Sequence, residues 1–159
     1  MKVAFIGHRK IEQSQRLKDN LIEILTNLII NKNADTFLFG SKSEFDSLCY
    51  AVVSELKSSY PNIRRVYVRA EYEYIDKSYK DYLLQSYEDT YYPKEVEGAG
   101  KLSYIKWNQV LIDSCDLLIA YCDENYHPQS RRGKVNSGTK TAVDYAKKKN
   151  TRIINLFDL

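Results

Sequence analysis

Apolar positions along this chain follow two periods that take turns. Lys2 to Ile6 is a short apolar run stopped by Gly7, the signature of a buried strand. From Ile11 to Asn31 the apolar residues Leu17, Leu21, Ile24, Leu25, Leu28 and Ile29 return at helical spacing, marking a helix packed on a sheet. Ala34 to Phe39 predicts a second strand, stopped by Gly40. Ser43 to Ser59 predicts a second helix with Phe45, Leu48, Val52, Val53 and Leu56 inward, capped by Ser43 and closed by Pro61. Arg64 to Arg69 is the third strand. Leu102 to Ser114 reads as a helix, Leu117 to Tyr121 as the fourth strand, and Cys122 to Asn136 as a polar loop. A helix with Ala142, Val143 and Ala146 inward and Lys147, Lys148 and Lys149 outward follows, and Arg152 to Leu156 is the fifth strand.

Strands alternating with helices predict right-handed βαβ units. The expected product is a single α/β domain over residues 1–159 with a five-stranded, mainly parallel sheet in the order 3-2-1-4-5. Residues 70–101 interrupt the alternation with seven tyrosines, no long apolar face and one short helix near Ser78 to Tyr87. A connection of that length favours a lid, a ligand wall or a dimer contact.

Composition narrows the class. A chain of 159 residues buries about 70% of its unfolded surface, enough for a real core. The net charge of +3 comes from 24 basic and 21 acidic residues spread along the chain, without the stripe of a dedicated nucleic-acid binder. No apolar run reaches the length of a membrane span, and no signal peptide is expected ahead of Lys2. Cys49, Cys115 and Cys122 are odd in number and lack metal-type spacing, so reduced thiols in a cytoplasmic protein are expected. Fourteen tyrosines against one tryptophan suit core edges, interfaces and stacking on bases. So much aromatic surface in a small domain favours a homo-oligomer, most simply a homodimer.

Candidate chemistry gathers where strands end. In an open parallel sheet, ligands bind outside the carboxyl ends of the strands where the strand order reverses. That crevice would be lined by Gly7-His8-Arg9, by Gly40-Ser41-Lys42 and by the loop after Tyr121. Gly7 would permit close approach, Arg9 would grip a phosphate in two-pronged fashion, and His8 would donate or stack. The alternative for these residues is a turn whose polar groups serve neighbouring loops. Glu44 and Asp46 open the second helix: either they complement its dipole, or one binds ribose hydroxyls or attacks a glycosidic carbon. Asp123, after the fourth strand, is placed for a sugar contact. His8 and His127 are too few and too scattered for a metal site, and no cofactor is expected. The strongest stretch is Asn136-Ser137-Gly138-Thr139-Lys140-Thr141. Ser137 is a good N-cap, Gly138 leaves room beside the backbone, and the first N–H groups of such a helix form an anion site with the helix dipole. Its plain alternative is a well-capped surface helix.

Together, Val-Ala-Phe-Ile-Gly-His-Arg, Phe-Leu-Phe-Gly-Ser-Lys-Ser-Glu-Phe-Asp, and Asp-Leu-Leu-Ile-Ala-Tyr with the later Ser-Gly-Thr-Lys-Thr-Ala-Val-Asp-Tyr-Ala resemble the SLOG superfamily. These are Rossmann-like domains related to DprA and the LOG proteins, and this chain resembles the small stand-alone, YpsA-like bacterial and phage members. The resemblance spans nearly the whole chain and implies a Rossmann-like three-layer sandwich with a nucleotide site. By it, Gly7, Arg9, Gly40, Asp46, Gly138 and Thr139 fall on ligand-facing motifs. Phosphoribohydrolases of the LOG type, and deoxyribosyltransferases in related form, carry Gly-Thr-x-x-Glu where this chain reads Gly138-Thr139-Lys140-Thr141-Ala142. Ala142 can neither attack nor move a proton. The expectation is therefore a protein that binds a phosphorylated nucleotide derivative, ADP-ribose-like or cyclic, as a sensor or sequestering protein. An N-glycosidase, phosphoribohydrolase or deoxyribosyltransferase-like enzyme using Glu44 or Asp46, and a protein-interaction module with a vestigial pocket, are the alternatives.

Overall fold

The computed structural model describes all 159 residues as one α/β unit around a single sheet. In chain order the elements are β1 (Lys2–Gly7), α1 (Gln15–Lys32), β2 (Thr36–Phe39), α2 (Glu44–Lys57), β3 (Arg64–Val68), α3 (Lys77–Leu84), β4 (Asp89–Tyr91), α4 (Ser103–Ser114), β5 (Leu117–Tyr121), α5 (Gly138–Lys148) and β6 (Arg152–Asn155). Short 3₁₀ turns occupy Lys94–Val96, Gly100–Leu102 and Leu156–Asp158. No helix is long and apolar enough to cross a membrane.

Strand alternation sends successive side chains to opposite faces, and each face has its own core. Val3, Phe5, Phe37, Phe39, Leu117 and Ile119 meet α1 and α2 through Leu21, Leu25, Phe45, Val52 and Val53. Ala4, Ile6, Leu38, Leu118 and Ala120 meet α4 and α5 through Trp107, Leu111, Ile112, Val143 and Ala146. The result is a three-layer, Rossmann-like sandwich in which β1 pairs with both β2 and β5. The sheet order reverses between β1 and β5, since β2 to β4 lie on one side and β6 on the other.

The sheet has six strands, not five: its order is β4-β3-β2-β1-β5-β6, and all five pairings are parallel. The five expected strands keep their relative order, and the tyrosine-rich segment adds the sixth at the edge. Periodicity misses β4 because it has three residues and a single inward one, Thr90, whose hydroxyl accepts from Arg69 at 3.0 Å. Polar bonds hold the segment instead. Arg65 donates to both oxygens of Glu88, at 3.1 and 2.8 Å, and Tyr87 packs on Tyr50 and Tyr67 with ring centres 5.0 and 5.1 Å apart.

Helix α1 also starts later than its apolar pattern suggests. The Ser14 hydroxyl accepts from Leu17 N–H at 3.1 Å and fixes the cap there, so Ile11 to Ser14 remain loop. The short helix begins at Lys77, where Asp76 accepts from Tyr79 N–H at 2.7 Å.

Candidate functional site

An open cleft of about 1190 Å³ lies at the carboxyl ends of β1 and β5, where the strand order reverses. Small-molecule sites usually span ~300–1,000 Å³, so its size suits a ligand larger than a single small group. Five segments meet there: the turn after β1, the β2–α2 loop, the loop after β5, the start of α5, and α4. Phe157, from the turn after β6, also lines it.

Of the residues singled out in the sequence, Gly7, His8, Arg9, Ser41, Lys42, Asp123, Ser137, Gly138 and Thr139 line this cleft. Gly40, Glu44, Asp46 and Lys140 do not, and each has local work. Gly40 has φ +139°, and a Cβ there would stand 2.4 Å from the Val68 carbonyl oxygen. Glu44 accepts from Ile11 N–H at 2.9 Å and so ties α2 to the turn after β1. Asp46 is buried and accepts from Gly40 N–H at 3.3 Å, which braces the β2–α2 loop from behind. Lys140 is engaged by Asp144, one helical turn away, at 3.0 Å. Ala142 is buried in the core between α5 and the sheet.

Gly7 turns out to serve packing. A Cβ at this position would sit 2.3 Å from the Phe45 ring, so the missing side chain lets α2 close against β1. Gly138 is different, because a Cβ there would meet nothing within 4 Å.

The first turn of α5 presents donors. Ser137 caps it, with its hydroxyl accepting from Lys140 N–H and its carbonyl from Thr141 N–H, both at 3.0 Å. The Gly138 and Thr139 N–H groups precede the first intrahelical bond. This turn carries no acidic residue. Thr139 is largely buried yet lines the cleft, and its hydroxyl is not sealed without a partner. Arg9 lines the same cleft, exposed and outside every ion pair, while Lys42 is engaged by Glu71 at 3.2 Å. Lys42 itself is held at φ 55°, an uncommon conformation for a non-glycine residue.

His8 is fixed and neutral. Its Nε2 accepts from Asp123 N–H at 2.8 Å, so the proton of the neutral ring resides on Nδ1. Burial lowers its pKa below the usual histidine value, and the charge of Asp123 only partly opposes this. Asp46 moves the other way: burial raises its carboxyl to about 6 against the bonds offered by Gly40 and Ser41.

The aromatic lining was the least legible part of the cleft. It comes from Tyr104, Trp107, Tyr121, Tyr126 and Phe157 rather than from the tyrosines of residues 70–92, none of which lines it. Tyr126 lies in a polar loop and Phe157 beyond the last strand, and neither belongs to an apolar period. Their only signal is position, immediately after β5 and β6. Among the loop residues, His127 is held locally, its Nδ1 2.9 Å from the Val135 carbonyl oxygen. The three cysteines are unpaired.

No protein-family model matches this chain, and no curated protein matches it.

Proposed function

We propose that the cleft binds a phosphorylated nucleotide derivative, an ADP-ribose-like or cyclic molecule, and that the protein acts as a sensor or sequestering protein for it. One observation carries this reading: the acid-free first turn of α5 opens into the same cleft as the unpaired Arg9. Backbone N–H groups at a helix start, the helix dipole and a guanidinium are the standard means of holding a phosphate. Asp123 keeps one carboxylate oxygen beyond its bond to Asn125 N–H at 2.9 Å, which suits it to accept from ribose hydroxyls.

Glycosidic chemistry through Glu44 or Asp46 is disfavoured, because both lie outside the cleft and are engaged in bracing loops. The test is to incubate the protein with nucleotide diphosphates, ADP-ribose and cyclic dinucleotides, separate the complex, denature it and identify what is released by mass spectrometry. Intact ligand supports the proposal. A freed base would establish a hydrolase, and no retained nucleotide would favour an interaction module.

The tyrosine-rich segment supports a homodimer, since Tyr72, Tyr74, Tyr82 and Leu84 are all exposed on it. Sedimentation at micromolar concentration should give twice the monomer mass. A monomer would remove this part of the reading.

A further inference from the structure

The cleft has two chemically distinct linings. One lining is made of the α5 N–H groups, Thr139 and Arg9, and the other of a chain of four rings: Tyr126, His8, Tyr121 and Phe157. Tyr126 meets His8 with ring centres 5.0 Å apart at 68°, His8 meets Tyr121 at 6.4 Å and 87°, and Tyr121 meets Phe157 at 5.4 Å and 88°. Each contact is edge-to-face, so the inner rings fix the outer ones in orientation.

The inner rings are tied down from behind. His8 is buried and held through Nε2 by Asp123 N–H, and Tyr121 packs on Phe45 at 5.8 Å. The outer rings stay open to solvent: Tyr126 is 48% and Phe157 44% exposed. Phe157 is nevertheless held in place. The Asn155 side chain donates to the Cys122 carbonyl and accepts from Cys122 N–H, both at 2.9 Å, clasping the ends of β5 and β6 just before the turn that carries Phe157. Two pre-positioned, exposed aromatic faces inside a concave site are suited to a flat, weakly polar group. Stacking surfaces of this kind take any base, because every base has a π-face.

We propose that Tyr126 and Phe157 each offer a ring for stacking in a nucleobase slot, and that this slot makes the cleft select nucleoside phosphates over inorganic ones. The slot deepens the anion site proposed above and rests on it for the ligand's other end. Stacking on such rings is worth roughly 1–3 kcal/mol per base, and an affinity loss of about 10-fold per ring lies inside that range.

The test uses calorimetry with ADP, GDP, CDP and UDP, their parent nucleosides, and inorganic pyrophosphate. In the wild-type protein the best-bound diphosphate should bind at least about 10-fold more tightly than pyrophosphate. Phe157→Ala and Tyr126→Ala should each weaken that diphosphate about 10-fold and leave pyrophosphate unchanged, and Phe157→Tyr should restore binding. Phe157→Leu keeps apolar bulk without a π-face and should behave like the alanine variant. Equal binding of pyrophosphate and diphosphates, or alanine variants that bind as wild type does, would overturn the slot and leave the anion site standing. Nucleosides that bind and are lost in Phe157→Ala, with no gain from their phosphates, would keep the slot and overturn the anion site. No binding of any probe would overturn both. Thermal melts accompany each variant, and Tyr126→Ala, in an exposed loop, decides the matter if Phe157→Ala fails to fold.

Discussion

Helices α2 and α5 begin at the same edge of the sheet with the same device, yet only one leaves its start open. Ser43 caps α2 by accepting from Asp46 N–H at 3.0 Å, and Ser137 caps α5 by accepting from Lys140 N–H at 3.0 Å. The first turn of α2 carries Glu44 and Asp46, and its Glu44 N–H is taken by the Arg9 carbonyl at 2.9 Å. The dipole of that helix already faces its own carboxylates. The first turn of α5 carries no acid and faces the cleft with nothing near the Gly138 Cβ position. Capping therefore distinguishes neither helix. What differs is whether the chain supplies its own anion.

The glycines should break this comparison most sharply. Gly7→Val places carbon within about 2.3 Å of the Phe45 ring and must push α2 from the sheet. Overpacking of a well-filled core costs roughly 1–3 kcal/mol, more where the neighbour is a fixed ring, and denaturant unfolding should show a loss at or above that range. Gly138→Val meets no neighbour and should shift stability by no more than about 1 kcal/mol. Yet it should abolish measurable binding of ligands at the α5 start. A Gly138→Val protein that binds as wild type does would remove α5 from the site.

The same contrast explains what the sequence made legible. The layer order was readable because Leu17, Leu21, Leu25 and Leu28 on one helix, and Ala142, Val143 and Ala146 on another, each describe one buried face. The start of α5 was readable because serine followed by glycine and threonine is a local signal. Burial is not local. Nothing adjacent to Asp46 shows that it lies behind the Gly40 loop, and nothing adjacent to Gly7 shows that Phe45 needs the space. Strand β4 was hidden because an arginine–glutamate pair and tyrosine rings hold it, not an apolar repeat. The ring array was hidden because its members come from the ends of three separate strands and the turns after them.

Charge sharpens the comparison further. Arg9 is the unpaired guanidinium of the cleft, whereas Lys148 carries the same charge near the far end of α5. Charge-assisted hydrogen bonds contribute roughly 1.5–3 kcal/mol, so Arg9→Ala should weaken nucleotide binding about 10- to 100-fold by calorimetry. Lys148→Ala should leave affinity within about 2-fold, since exposed charges beyond a Debye length of ~8 Å are largely screened. Equal losses in the two variants would mean that diffuse charge alone attracts the ligand.

The smallest expected effect tests the closed member of the pair through pH. Burial raises the Asp46 carboxyl from 3.8 to about 6, because the bonds from Gly40 and Ser41 do not fully replace lost water. A raised folded-state pKa means that the native protein binds this proton more tightly than the unfolded chain does. The contribution is present at low pH and is lost as pH rises through about 6. Lowering the pH from about 7.5 to 5.5 should therefore add ~1 kcal/mol through Asp46, seen as a gain in Tm of the wild type over an Asp46→Asn variant, because His8, whose pKa burial lowers, withdraws stability over the same interval in both proteins. Glu88 imposes the opposite trend further down. Burial works against its charge but is outweighed by Arg65 and Lys57, which bring it to about 2, so stability present above the usual carboxyl range falls as acid approaches that value. Asp46→Asn keeps an oxygen to accept from Gly40 N–H and removes the charge. It should remove that gain over pH 5.5–7.5 while leaving the acid limb unchanged. A variant whose melting profile follows that of the wild type over that interval would show that Asp46 does not carry the proton, and that the α2 start holds its carboxylate as comfortably as an open helix end would hold a ligand.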